Sequence, residues 1–141
     1  VASARRAIEL NSNCALAHFY LAHTCSNIGE HGEALTEIRR TLALDPFSLL
    51  ANAMYGQFLY HAGQDADSVA QLQRTLELDA RFWVAQICLA KTYERLGRHE
   101  EALECCHDAW AASAGNTEAL SIAGYVHAVS GERAEAEQKI R

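Results

Sequence analysis

The chain has 141 residues, half of them hydrophobic, and a formal net charge of −6 with histidine counted as neutral. This length suits one domain with a continuous core, and the hydrophobic content excludes a disordered chain. An acidic chain without a basic stripe is not expected to bind nucleic acid, and one without about 18 consecutive apolar residues is not expected to span a membrane. Proline occurs once and helix-forming residues dominate, so the composition favours an all-α fold.

Apolar residues with helical spacing return in pairs of segments along the chain. The first complete pair covers residues 15–28 and 31–44. Asp45-Pro46 is expected to end the second of these helices, because the residue before proline avoids the α conformation, and Ser48 can cap the helix that follows. The predicted units are the second helix of a partial repeat over 1–14, full repeats over 15–48, 49–82 and 83–116, and a truncated repeat over 117–141.

A step of 34 residues relates these units. Glycines occupy one column of the repeat, and small residues occupy two more, so the helices of each pair are expected to meet closely and to be joined by a glycine turn. The glycine column is Gly29, Gly63, Gly97 and Gly131, and the small columns are Ala22, Gly56, Ala90, Gly124 and Ala34, Ser68, Ala102, Ala136.

This step, the small columns, the glycine turn and the closing phrase TLALDP at 41–46 resemble the tetratricopeptide repeat (TPR). The resemblance implies a right-handed superhelical solenoid of antiparallel helix hairpins, a TPR-like α-α superhelix, in which the first helices line a concave groove. Two departures concern local packing. The closing proline is kept only at Pro46, and the family's aromatic residue in the first helix is replaced by His18, Asn52, Gln86 and Leu120.

The resemblance implies a cytoplasmic scaffold that binds a peptide or protein segment in the groove, and not an enzyme. The predicted groove residues lie on the first helices and are Phe19, His23, Asn27, Gln57, Tyr60, His61, Lys91, Arg95 and Tyr125, with Leu16, Ser26, Ala53, Ile87, Glu94 and Ser121 beside them. The Lys/Asn/Arg clamp with which some TPR domains hold a chaperone's terminal carboxylate is absent, since its positions carry Phe19, His23, Met54, Val84 and Cys88.

Two alternatives stay open. The phrases LYHAG at 59–63 and AVSGERAEAE at 128–137 are similar to TPR arrays that follow a signalling domain in bacterial enzymes or transcription regulators, which implies a regulatory segment. The second alternative is a self-associating array. Ala136 and Ile140 are expected to face the position of a further helix, and this apolar surface would favour a homodimer.

Catalysis, metals and cofactors are not expected. The seven histidines form no HxxxH or HExxH motif, and no glycine-rich phosphate loop is present. The five cysteines are odd in number and lack CxxC spacing, which favours free thiols over disulfides or a zinc site.

Overall fold

The structure is a computed structural model that describes the backbone of residues 1–140 and all their side chains except those of 132, 133, 135–137, 139 and 140. Over residues 1–140 it contains helices and no strand, which confirms the all-α class. None of the described helices is long and apolar enough to cross a bilayer. The helices are α1 (Ala2–Leu10), α2 (Ala15–Asn27), α3 (His31–Leu44), α4 (Leu49–His61), α5 (Asp65–Leu78), α6 (Trp83–Arg95), α7 (His99–Ala112) and α8 (Thr117–Ile140).

The helices form two compact units. The first, Val1–Ala80, holds α1 to α5, with α2 packed on α3, α4 on α5, and α2 also on α4. The second begins at Arg81 and holds α6 to α8, with α6 packed on α7 and α8 in contact with both. As predicted, α3 ends at Leu44, and the Ser48 side chain caps α4 by accepting a hydrogen bond from the Ala51 amide at 3.2 Å. The repeat boundaries themselves stay a prediction.

The glycine column makes three of the predicted turns. Gly29, Gly63 and Gly97 have φ angles of 87°, 75° and 74°, a conformation that a side chain disfavours. In each turn the next residue donates its amide to the carbonyl five residues earlier, at 2.8–2.9 Å, which satisfies the end of the first helix.

The fourth turn was predicted wrongly. Gly131 lies inside α8, which runs without a break from Thr117 to Ile140. The residues after Gly131 are mostly Ala, Glu, Gln and Lys, which favour a helix, and a single glycine costs only about 1 kcal/mol in a helix interior. The expectation for Ala136 and Ile140 concerns side chains outside those that the structure describes.

The small columns bring the two helices of a hairpin together. Ala22 and Ala34 are fully buried between α2 and α3. Between α4 and α5, the Ser68 hydroxyl donates to the Gly56 carbonyl at 2.7 Å, and a Cβ placed on Gly56 would lie 2.4 Å from Cγ of Leu72. No side chain fits at position 56 without moving a core leucine.

Polar pairs occupy two positions of the column in which the family has an aromatic residue. His18 is 4% exposed, and its Nδ1 lies 2.5 Å from a carboxylate oxygen of Glu37. Its Nε2 donates to the Ser12 carbonyl at 3.0 Å. In the next hairpin, Gln71 Nε2 donates to the Asn52 side-chain oxygen at 2.9 Å. At His18 and Asn52 the departures from the family pattern therefore replace apolar packing with hydrogen bonds between the two helices of a hairpin.

Replacing Gly56 by alanine is expected to destabilise the protein by about 1–2 kcal/mol, because overpacking a filled core costs more than the helix gains from alanine. Gly32→Ala is the matched control, since a Cβ at this helical glycine meets nothing within 4 Å. Urea unfolding followed by circular dichroism measures both. A Gly56→Ala protein as stable as Gly32→Ala would contradict the close packing of Leu72 on α4.

Candidate functional site

One exposed stripe runs along α2. Leu16, Tyr20, His23 and Asn27 are three or four residues apart, so they share one face of the helix, and all four are exposed to solvent. Leu16 and Tyr20 expose 61% and 58% of their surface and lie one helical turn apart, so their apolar surfaces adjoin. We call these four residues the α2 stripe. Tyr20 was not predicted, although its spacing from Leu16 and His23 was a signal for it.

The face of α4 that adjoins the stripe carries three predicted residues, the half-buried Gln57, Tyr60 and His61. The imidazole of His23 meets the buried Phe58 ring edge-on, with centroids 6.3 Å apart. His61 lies at α2 as well, because its Nδ1 is 2.8 Å from the hydroxyl of Ser26. The first unit therefore brings His23, Asn27 and His61 to adjoining faces of α2 and α4.

A hydrogen bond between Asn27 and His23 determines which groups the C-terminal end of the stripe offers to a partner. Asn27 Nδ2 lies 3.3 Å from His23 Nδ1, and an amide nitrogen can only donate, so Nδ1 accepts. In neutral His23 the proton is then on Nε2, which leaves this N–H as a donor. The side-chain oxygen of Asn27 is an acceptor. A donor and an acceptor of this kind can bind a backbone carbonyl and a backbone amide.

The other end of the stripe opens into a pocket of about 310 Å³ in the first unit. Leu16, Phe19 and Tyr20 form its α2 wall, and the Phe19 and Tyr20 rings meet edge-on at 6.0 Å. Ala15, Thr41, Asp45, Ser48 and Leu50 complete the lining. Phe19, a predicted groove residue, is thus half-buried in a pocket wall that can accept an apolar side chain.

Three residues that were placed beside the groove belong to the core. Ser26 is 4% exposed, Ala53 is fully buried and Ile87 is 3% exposed. Ser26 and Ala53 are covered because α2 and α4 pack directly on each other. Ile87 belongs to a cluster with Ala109 and Ala119 inside the second unit.

The predicted residues of the second unit are more polar. The Lys91 ammonium pairs with the Glu118 carboxylate, which joins α6 to α8. Arg95 is exposed in the last turn of α6, and Tyr125 on α8 is 58% exposed. Lys91 is therefore engaged within its own unit, whereas the Tyr125 ring offers a large exposed aromatic surface.

Charged side chains are sorted between the helices of the first unit. Helices α2 and α4 together hold 26 residues and contain no Asp, Glu, Lys or Arg. At the chain's 21% charged content, about five would be expected. The second helices do carry charge, with Glu33, Glu37, Arg39 and Arg40 on α3 and Asp65, Asp67, Arg74 and Glu77 on α5. Solvent-facing positions of α2 are filled instead by Leu, Tyr, His and Asn.

Among the described residues, no three His, Cys, Asp or Glu side chains converge as metal ligands. The five cysteines lie in the described part of the chain and form no disulfide, and Cys25, Cys88 and Cys106 are buried. Burial raises the pKa of Cys88 to about 12, from an ordinary value of 9.0. Burial and the neighbouring Cys106 thiol raise the pKa of Cys105 to about 12. These thiols stay protonated at neutral pH, which makes them poor nucleophiles.

The raised pKa of Cys88 predicts a loss of stability in alkali. Below pH 9 the Cys88 thiol is protonated in both the folded and the unfolded protein. Between pH 9 and about 12 this thiol ionises only in the unfolded protein, so the free energy of unfolding falls by about 1 kcal/mol per pH unit. Denaturant unfolding under reducing conditions should show a shallower fall for Cys88→Ala than for the wild type. Cys14→Ala, which removes a half-exposed thiol, is the control. Equal slopes in all three proteins would contradict the assignment.

Comparison with known proteins supports the fold. Residues 88–109, from α6 into α7, match the sequence profile of the tetratricopeptide repeat. No curated protein is significantly similar in sequence.

Solved structures resemble the chain over most of its length. The crystal structure of MamA gives a TM-score of 0.75 at 21% identity, over 96% of this chain and 79% of that one. The Sgt2 TPR domain from Aspergillus fumigatus gives 0.79 at 11% identity, over 86% and 82%. The first TPR of Spaghetti (RPAP3), bound to the HSP90 peptide SRMEEVD, gives 0.74 at 14% identity, over 83% and 93%. The chain therefore has an all-α fold of the TPR kind.

Proposed function

We propose that the chain is a protein-interaction scaffold that binds a peptide or protein segment along the exposed faces of its first helices. The α2 stripe is the observation that carries this proposal. A face on which Leu16 and Tyr20 are more than half exposed leaves apolar area in water, and such area is commonly covered by a partner. Aromatic side chains are also frequent anchors at interfaces.

The fold supports the proposal in a general way. Tandem helix hairpins expose long helix faces without assembling a nucleophile, a base and an oxyanion site. The Spaghetti TPR domain was solved with a peptide of HSP90, so a fold of this kind can hold a peptide. We therefore propose no catalytic role. The cytoplasmic location, the bacterial regulatory segment and the homodimer remain predictions from the sequence.

The proposed contact residues of the first unit are His23, Asn27, Gln57, Tyr60 and His61, with Phe19 at the pocket. In the second unit they are Arg95 and Tyr125, together with Lys91 where the partner replaces Glu118. Only a few of these are expected to dominate affinity, because most of an interface contributes little.

A displayed library of random peptides, selected on the immobilised protein, tests the proposal. Peptides enriched on the wild type should bind the His23→Ala/Gln57→Ala protein at least about ten-fold more weakly, a loss of about 1.4 kcal/mol. Both side chains lie on first helices, so their loss removes contacts with the peptide.

The control for this selection is Arg40→Ala/Gln73→Ala, which changes two exposed residues of the second helices α3 and α5. It should bind as the wild type does, provided that circular dichroism shows both variants folded. An equal loss of peptide binding in both variants would overturn the proposed binding face, and no enrichment on the wild type would overturn the proposed function.

A further inference from the structure

The chemistry of the α2 stripe indicates the kind of segment that it can take, and this inference rests on the proposed function. The four exposed side chains end in a methyl pair, a phenol, an imidazole and a carboxamide. None carries a full charge when histidine is neutral. Its neighbour α4 adds no Asp, Glu, Lys or Arg. Away from the pocket, a charged partner residue buried on the stripe would lose its hydration without gaining a counter-ion from α2 or α4.

One carboxylate of the chain argues against an acidic partner segment in particular. Asp45 is the one charged residue that lines the pocket at the end of the stripe. A carboxylate at this rim opposes an acidic segment. The stripe itself holds neither Lys nor Arg to attract one, although the whole chain carries 12 such residues. The surface therefore differs from one that would recognise a peptide through its acidic side chains.

The stripe also has a defined length, and its two ends differ in chemistry. From Leu16 to Asn27 the axis of α2 rises by about 17 Å, which equals about five residues of extended peptide. The apolar pocket formed with Phe19 lies at one end. The N–H donor of His23 and the acceptor oxygen of Asn27 lie at the other, where a backbone carbonyl and amide can pair with them.

We propose that the α2 stripe binds an extended, uncharged peptide segment of about five residues, with an apolar side chain in the pocket and its backbone hydrogen-bonded to His23 and Asn27. Specificity then comes from the fit of the pocket and from amide recognition. Charge attraction contributes little, so binding is insensitive to salt.

The sequences of the enriched peptides give the first test. Peptides that lose affinity on Asn27→Ala should contain an apolar or aromatic residue within a stretch of five that lacks Asp, Glu, Lys and Arg. Asn13→Ala, at an exposed asparagine of the turn before α2, is the matched control and should leave binding unchanged. Enrichment of acidic or basic stretches would overturn the inference while leaving the proposed function intact.

Salt dependence gives the second test, on one synthetic peptide of the enriched class with a fluorescent label. Its dissociation constant should change by less than about two-fold between 50 and 500 mM NaCl, and should rise about ten-fold on Asn27→Ala. A ten-fold weakening by salt, or equal affinity of Asn27→Ala and Asn13→Ala, would overturn the inference. A library that yields no binder would remove the proposed function itself.

Discussion

Close approach of two helices within each hairpin is the constraint on which the rest of the fold depends. Where Gly56 faces Leu72, the backbone of α4 comes so near α5 that the leucine occupies the space of a side chain. Ala22 and Ala34 hold α2 against α3 in the same way. At this separation the first helix turns its remaining faces toward its neighbours and toward solvent, which is how the stripe on α2 becomes available to a partner.

The 34-residue columns predicted seven of the helices to within a few residues, because packing and turn chemistry repeat together. They failed at Gly131. A positive φ at Gly29 is maintained because α3 packs back onto α2, whereas glycine alone only permits the turn. When local preference favours a continuous helix, as it does after Gly131, a column of glycines cannot decide whether the chain turns.

The candidate site was predicted in part. Helical spacing placed His23 and Asn27 on the exposed face, but it could not tell Ser26, which is buried, from these neighbours. The difference depends on how α4 crosses α2, which no single-helix pattern encodes. Tyr20 was missed although it lies one helical turn from both Leu16 and His23, which were placed at the groove. The hydrogen bond that sets the His23 tautomer likewise required coordinates.

The sorting of charge gives the two faces of a hairpin different properties. In the first unit most of the charged side chains of α3 and α5 are exposed to solvent, while α2 and α4 present amides, imidazoles and rings. Removing an imidazole or an amide from water costs far less than removing a charge, provided that a hydrogen bond replaces the lost one. The face that is easiest to desolvate is therefore also the face that exposes apolar area, and both conditions favour association there over the charged side.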